Sequence, residues 1–162
     1  FMNQASHYID LLQWMIGPVE SVMAYTATLA RNIEVEDSGV AAIRWRSGAM
    51  GTLNVTMLTY PKNMEGSITI FAENATIKIG GKYLNTIDYQ STSGFDITDL
   101  PAGAASNNYG DYEGSMSNHD KVIDNVIQSL NGKVEIMTNA YDGLKTVEII
   151  ENIYQVAVHT GA

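Results

Sequence analysis

The hydrophobic positions of the chain follow a helical period near its two ends and alternate along the region between them. Apolar side chains recur every three or four residues in 3–18, 117–130 and 138–158, which predicts three helices. Gly17 and Pro18 should end the first helix, because glycine tolerates a left-handed backbone and proline cannot continue a helix. Alternation predicts strands at 19–29, 39–46, 49–58, 67–73, 76–79 and 83–90.

This order of elements predicts the fold class. One helix, a run of strands joined mostly by short turns, and two further helices are typical of an α+β protein. We expect a large, mostly antiparallel sheet with helices packed on one face and the other face open. Ser47 and Gly48 should turn the hairpin between the second and third strands. Tyr25, Trp45 and the small threonines of the third strand are expected on the open face, which indicates self-association through that face.

The two C-terminal helices are predicted with caps and apolar faces. Ser117 with Asp120 resembles a capping box, and Thr138 or Asn139 should cap the last helix, which is expected to run through Val158. The apolar face of the second helix is Val122, Ile123, Val126, Ile127 and Leu130. The last helix should turn inward Leu144, Val147, Ile150, Ile153, Tyr154 and Ala157.

The first predicted helix also carries a polar face, formed by Asn3, His7, Asp10 and Trp14. An imidazole titrates near neutral pH, so His7 in a cleft could take or give a proton. Spacing alone leaves a second interpretation open, in which His7 is an ordinary surface histidine held by Asp10.

Other segments offer weaker candidates. Residues 91–116 lose all periodicity, and so long a loop is either functional or mobile. His119, at the start of a helix, could donate a hydrogen bond to an anionic ligand or simply begin that helix. Tyr60 and Lys62 follow a strand, and a hydrogen-bonding role there is a further hypothesis.

Composition narrows the class of protein. The 162 residues suit a single domain with a core, and a net charge of −9 with nine scattered basic residues argues against nucleic-acid binding. The chain has no cysteine, which excludes disulfides and thiolate chemistry and fits a cytoplasmic location. No membrane span, secretory leader, glycine-rich phosphate loop or metal motif is evident, so neither a membrane nor a metal is expected. Because the chain opens at Phe1 and enters a helix almost at once, we expect a fragment of a longer protein.

Two stretches carry a family resemblance. Residues 3–18 read Asn-x-x-x-His-x-Ile-Asp-Leu-Leu-x-Trp-Met-x-Gly-Pro, which resembles the start of the C-terminal domain in the glucose–fructose oxidoreductase, inositol dehydrogenase and MocA family. The closing segment from Asp142 to Tyr154 is similar to that family's last helix. Asn3 stands where the family usually has aspartate, and an amide can orient a substrate but cannot relay a proton.

The resemblance implies a two-domain dehydrogenase, in which 1–162 is a single substrate-binding and oligomerisation domain, with a fold like the C-terminal domain of glyceraldehyde-3-phosphate dehydrogenase. The Rossmann domain that binds NAD(P) is absent from this chain, so the isolated domain should be inactive. His7 would handle the proton of a sugar hydroxyl, with Asn3 and Asp10 as its supporting polar groups. Tyr60, Lys62, Asn63 and His119 would contact substrate.

The sequence is most similar to the branch that oxidises the 3-hydroxyl of UDP-N-acetylglucosaminuronic acid for surface polysaccharide. The segment 60–63 and the strand after it resemble this branch, though less specifically than the first helix. Two alternatives stay open. The chain could belong to an inositol or simple-sugar dehydrogenase, or it could be a non-catalytic binding or assembly module.

Overall fold

The structure, a computed structural model, describes residues 1–3, 5–61, 65–81, 84–98, 100 and 119–161. The helices are α1 (Ser6–Ile16), α2 (His119–Leu130) and α3 (Ala140–Val156), and the strands are β1 (Val19–Thr28), β2 (Ser38–Trp45), β3 (Met50–Thr56), β4 (Ile68–Ala72), β5 (Ala75–Gly80), β6 (Thr86–Thr92) and β7 (Val158–Gly161). The chain divides into two compact units, Phe1–Lys62 with Thr138–Ala162, and Asn63–Met137.

The first unit is built on a four-stranded sheet in the order β3-β2-β1-β7. β2 is antiparallel to both β1 and β3, and β7 is parallel to β1. The predicted hairpin is confirmed, since the Trp45 N–H donates to the Ala49 carbonyl over 2.9 Å. Gly48 turns the chain with a φ of +91°, a conformation that favours glycine.

Helices α1 and α3 contribute to one core on one face of this sheet. Every second residue of β2, from Gly39 to Trp45, is buried, and the residues between them are exposed. The core includes Ile9 of α1 and Ile150 and Ile153 of α3. The predicted α+β class, with a mostly antiparallel sheet and helices on one face, is therefore confirmed.

The second unit contains β4, β5 and β6, which form an antiparallel three-stranded sheet, and α2. The strands are thus hydrogen-bonded in two sheets, not in the single large sheet that alternation suggested. Alternation identifies a strand but not its neighbour, and no strand is present between β3 and β4 in the described residues around Pro61. All five residues of the apolar face predicted for α2 are exposed in the part of the chain that the structure describes. Ser117, its predicted cap, lies outside that part, as do residues 101–116 of the predicted loop.

Two predictions about the first unit are wrong. Trp45 is only 2% exposed, because the parity of β2 places it with Ala41 and Ile43 in the core and not on the open face. The last helix ends at Val156, and the residues after it form β7 along the free edge of β1.

The buried side of α3 is also narrower than predicted. Ile150 and Ile153 are buried as expected, but Leu144, Val147 and Tyr154 are 39–50% exposed. The buried positions include Thr146 and Ile149, so the stripe is rotated slightly from the predicted one.

A buried carboxylate organises the connection between β1 and β2. Asp37 accepts hydrogen bonds from the backbone N–H groups of Leu29, Ala30 and Arg31 at 2.9–3.0 Å. Burial alone raises the pKa of Asp37, but these hydrogen bonds outweigh it and lower the pKa to about 2. The ionised side chain therefore holds the connection in place.

We expect Asp37 to make the stability of the protein sensitive to acid. Its pKa is lowered on folding from 3.8 to about 2, so its contribution is present above about pH 4 and lost as the pH falls through about 2. Asp37→Asn offers one acceptor oxygen in place of two and should lower the Tm at neutral pH. Thermal melts followed by circular dichroism should show this deficit shrinking near pH 2. Glu34→Gln, in the same connection but exposed, is the control; an equal deficit for Asp37→Asn at both pH values would contradict the assignment.

Candidate active site

The polar face of α1 is exposed as the sequence predicts. The helix packs through Ile9, which is buried in the core, and ends at Gly17, whose φ is +102°. Three side chains of the predicted polar face are exposed on it: His7, Asp10 and Trp14. The imidazole of His7 is therefore accessible and not sealed in the hydrophobic core.

Asn3 lies in the turn before α1 and not on the helix itself. Its carbonyl accepts a hydrogen bond of 2.9 Å from the Ser6 hydroxyl, and its side chain is exposed. The helix α1 begins at Ser6, three residues after the predicted start. Asn3 is not among the residues that line the cavity between α1 and α3.

The N-terminal end of α3 lies opposite the polar face of α1, and a cavity separates the two. Asn139 caps α3 by accepting hydrogen bonds from the N–H groups of Tyr141 and Asp142, and the Asp142 carboxylate accepts one from the Asn139 N–H. This reciprocal capping box confirms Asn139 as one of the two predicted caps. It also fixes the first turn of α3 next to the polar face of α1.

The starts of the two helices line a cavity of about 330 Å³ that is open to solvent. Its lining comes from the start of α1 and the start of α3: Ser6, His7, Asp10, Thr138, Asn139, Asp142, Gly143 and Thr146. Seven of these eight residues carry a hydroxyl, amide, carboxylate or imidazole group, so the cavity offers hydrogen-bonding partners to a ligand rich in hydroxyls.

One hydrogen bond joins the two sides of the cavity. The Thr146 hydroxyl donates to Oδ1 of Asp10 over 2.7 Å, a short bond of the kind that carboxylates accept. His7 forms no hydrogen bond to Asp10, so the interpretation of His7 as a residue held by Asp10 is not what the structure shows.

The second carboxylate of the cavity, Asp142, is paired with the neighbouring Lys145. Lys145 donates to Asp142 over 3.0 Å, and this bond, followed by the one from the Asn139 N–H, lowers the pKa of Asp142. Asp142 is therefore committed to the cap of α3 and to Lys145. Among the described residues no group of three or more His, Cys, Asp or Glu side chains could hold a metal ion.

The family follows from comparison with known proteins. A sequence model of the oxidoreductase family, C-terminal alpha/beta domain, matches residues 1–160. The chain belongs to this family.

Two solved structures are similar to the chain at 49% identity. One is the WlbA dehydrogenase of Bordetella pertussis in complex with NADH and UDP-GlcNAcA (TM-score 0.78), and the other is the WlbA dehydrogenase of Chromobacterium violaceum with the same two ligands (TM-score 0.83). Each match covers 96% of this chain but only 41% and 43% of those proteins. A levoglucosan dehydrogenase in complex with NADH shares the fold, with 16% identity and a TM-score of 0.68 over 95% of this chain and 46% of that one. No curated protein sequence matches the chain.

Of the other predicted site residues, Tyr60 is described in the first unit and does not line the cavity. Tyr60 follows β3 and is 95% exposed, while Lys62 and Asn63 lie outside the described residues. His119 is the first residue of α2, in the second unit, and is exposed.

Sequence reasoning missed most of the residues that α3 contributes to the cavity. Thr146 reaches Asp10 across 136 positions of sequence, and no local pattern reports such a contact. The one available signal was the capping box at Asn139, which locates the helix start but not its neighbour.

Proposed function

We propose that this chain is the substrate-binding domain of an NAD(P)-dependent dehydrogenase that oxidises the 3-hydroxyl of UDP-GlcNAcA. The observation that carries the proposal is the 49% identity, over 96% of the chain, to two WlbA dehydrogenases solved with NADH and UDP-GlcNAcA. The exposed imidazole in a hydroxyl-lined cavity supports the same chemistry. The chain spans about two fifths of those proteins, so the activity belongs to the longer protein.

The cofactor site is proposed to lie in the missing part of that protein. This chain contains no glycine-rich phosphate loop, so its own residues do not fit a dinucleotide. We assign the dinucleotide to a Rossmann domain preceding Phe1, which when loaded with NAD(P) accepts the hydride. The isolated domain should then be inactive.

His7 is the proposed general acid/base. During oxidation of a secondary alcohol the carbon loses a hydride and the hydroxyl loses a proton, and an exposed imidazole can take that proton and pass it to water. Asn3, before α1, would orient the substrate or His7. Tyr60, Lys62, Asn63 and His119 stay candidate substrate contacts, without further support from their positions.

The substrate proposal is tested by a direct screen of the full-length protein. With NAD or NADP, reduction of the nicotinamide is expected with UDP-GlcNAcA and not with inositol, levoglucosan or free glucuronic acid. Turnover of inositol or a simple sugar in preference to the nucleotide sugar would replace the proposal with a polyol or simple-sugar dehydrogenase. No turnover by a protein that binds the nucleotide sugar would favour a binding module.

We further propose that the open sheet face is a homo-oligomer interface in a cytoplasmic enzyme that supplies surface-polysaccharide synthesis. In the described part of the chain this face exposes Met23, Tyr25, Val40 and Val158. A shallow depression of about 400 Å³ opens beside Tyr25 and Val40. Exposed apolar surface of this kind is typical of an interface. In the described residues no helix is long and apolar enough to span a membrane.

A further inference from the structure

The side chain of Thr146 is unusual for its position. It is 8% exposed on the buried side of α3, next to Ile149, Ile150 and Ile153. A threonine hydroxyl in a helix commonly bonds to a carbonyl of its own preceding turn. Here it donates to Asp10 of α1 over 2.7 Å. Packing alone would be served by valine, so the hydroxyl is explained by the carboxylate that it holds.

That bond occupies only one of the two oxygens of Asp10. Thr146 donates to Oδ1, and Oδ2 forms no hydrogen bond with any described residue, although Asp10 lines the cavity. His7, one helical turn earlier, is not bonded to Asp10 either. An ionised carboxylate is an acceptor only, so the free oxygen can serve a ligand that donates a hydrogen bond.

We infer that Asp10, fixed by Thr146, accepts a hydrogen bond from the sugar hydroxyl next to the reacting one. The inference rests on the proposed function. In UDP-GlcNAcA the ring hydroxyls are those at C3 and C4, since C1 carries the nucleotide and C2 the acetamido group. If His7 takes the proton of the 3-hydroxyl, the 4-hydroxyl is the ring hydroxyl that remains for a group one helical turn away, and the 4-deoxy analogue distinguishes it from the other neighbouring donor, the acetamido N–H at C2. Asp10 is then a specificity-determining residue and Thr146 its positioning residue.

The test uses the full-length enzyme with UDP-GlcNAcA and its 4-deoxy analogue. Asp10→Asn would keep the bond from Thr146 and turn an NH2 donor toward the cavity in place of an acceptor. We expect kcat/KM for UDP-GlcNAcA to fall about 10–100-fold, the scale of a hydrogen bond to a charged group. Replacing UDP-GlcNAcA with the 4-deoxy analogue should lower kcat/KM of the wild type by a similar factor, but should lower kcat/KM of Asp10→Asn little further.

Thr146 is tested by the same measurement. Thr146→Val is expected to lower kcat/KM for UDP-GlcNAcA by about 3–10-fold and to reduce the penalty for the 4-deoxy analogue, while Thr146→Ser, which restores a hydroxyl, should recover most of both. Thr26→Val is the matched control, because Thr26 is also buried and its hydroxyl forms a 3.0 Å hydrogen bond with Nδ1 of His159. Neither residue lines this cavity. It should leave the penalty for the 4-deoxy analogue unchanged.

The possible outcomes test the role of Asp10 separately from the proposed function. A wild type that fails to oxidise UDP-GlcNAcA overturns the proposed function and this assignment with it. Suppose that the wild type oxidises UDP-GlcNAcA normally, and that the 4-deoxy analogue lowers kcat/KM by the same factor in the wild type and in Asp10→Asn. The assignment of Asp10 is then overturned, and the proposed function stands. The same holds if Thr26→Val changes the analogue penalty as much as Thr146→Val does.

Discussion

Replacing His7 with alanine in the full-length enzyme is expected to lower kcat by about 10²–10⁴-fold, the usual contribution of one acid/base group. The side chain is exposed on α1, so its removal leaves no cavity in the core, and the Tm should change little. The loss should therefore appear in turnover and not in folding. Steady-state kinetics with UDP-GlcNAcA and circular-dichroism melts measure the two separately.

Two further measurements distinguish proton transfer from simple binding. Added imidazole should restore part of the activity of His7→Ala, because a free base can enter the open cavity. The variant should also lose the acid limb of the wild-type pH–rate profile. His159→Gln serves as the control, since His159 pairs with Thr26 and does not line the His7 cavity. Near wild-type turnover in His7→Ala would remove this residue from the mechanism.

The parts of the fold that the sequence predicts best are those encoded by neighbouring residues. Gly17 ends α1 because its own backbone conformation requires glycine, and the β2–β3 hairpin closes at Gly48 for the same reason. Asn139 caps α3 through bonds within four residues. Each of these features depends on one residue's backbone conformation or on hydrogen bonds between residues close in sequence, so a local sequence pattern can predict it.

The parts that could not be predicted depend on distant partners. β7 forms because β1 has a free edge for it, and a four-residue run near a helix end does not reveal that edge. Trp45 faces the core because of its register with β1 and β3, and residue type alone placed it wrongly. The division of the strands into two sheets is likewise a matter of pairing, which alternation leaves undetermined.

The candidate site divides in the same way. His7 and Asp10 follow from the spacing of one helix and from the family resemblance. Neither the helix spacing nor the family resemblance predicts a role for Thr146, because that role depends on a single hydrogen bond between α1 and α3. Roles for Asn3, Tyr60, Lys62, Asn63 and His119 stay predictions.

Placing a charge on the open sheet face is expected to dissociate the proposed oligomer. Val40 lies in the middle of that face, paired with Tyr25 on β1 and Asn54 on β3, and is 45% exposed. In an interface between two copies, Val40→Glu would bury one unpaired carboxylate from each copy. A buried unpaired charge is costly, so the dissociation constant should rise on the order of 10²-fold or more.

Light scattering coupled to size exclusion, over a range of concentrations, measures this shift. Val156→Glu is the matched control: the same residue type, 47% exposed, but at the end of α3 on the helix-covered side of the sheet. It should leave the assembly unchanged, since only the open face is proposed to be covered. A wild-type protein that stays monomeric at high concentration, or a Val40→Glu variant that assembles as tightly as wild type, would show that this face does not join the copies. In that case its exposed apolar side chains would need a different partner.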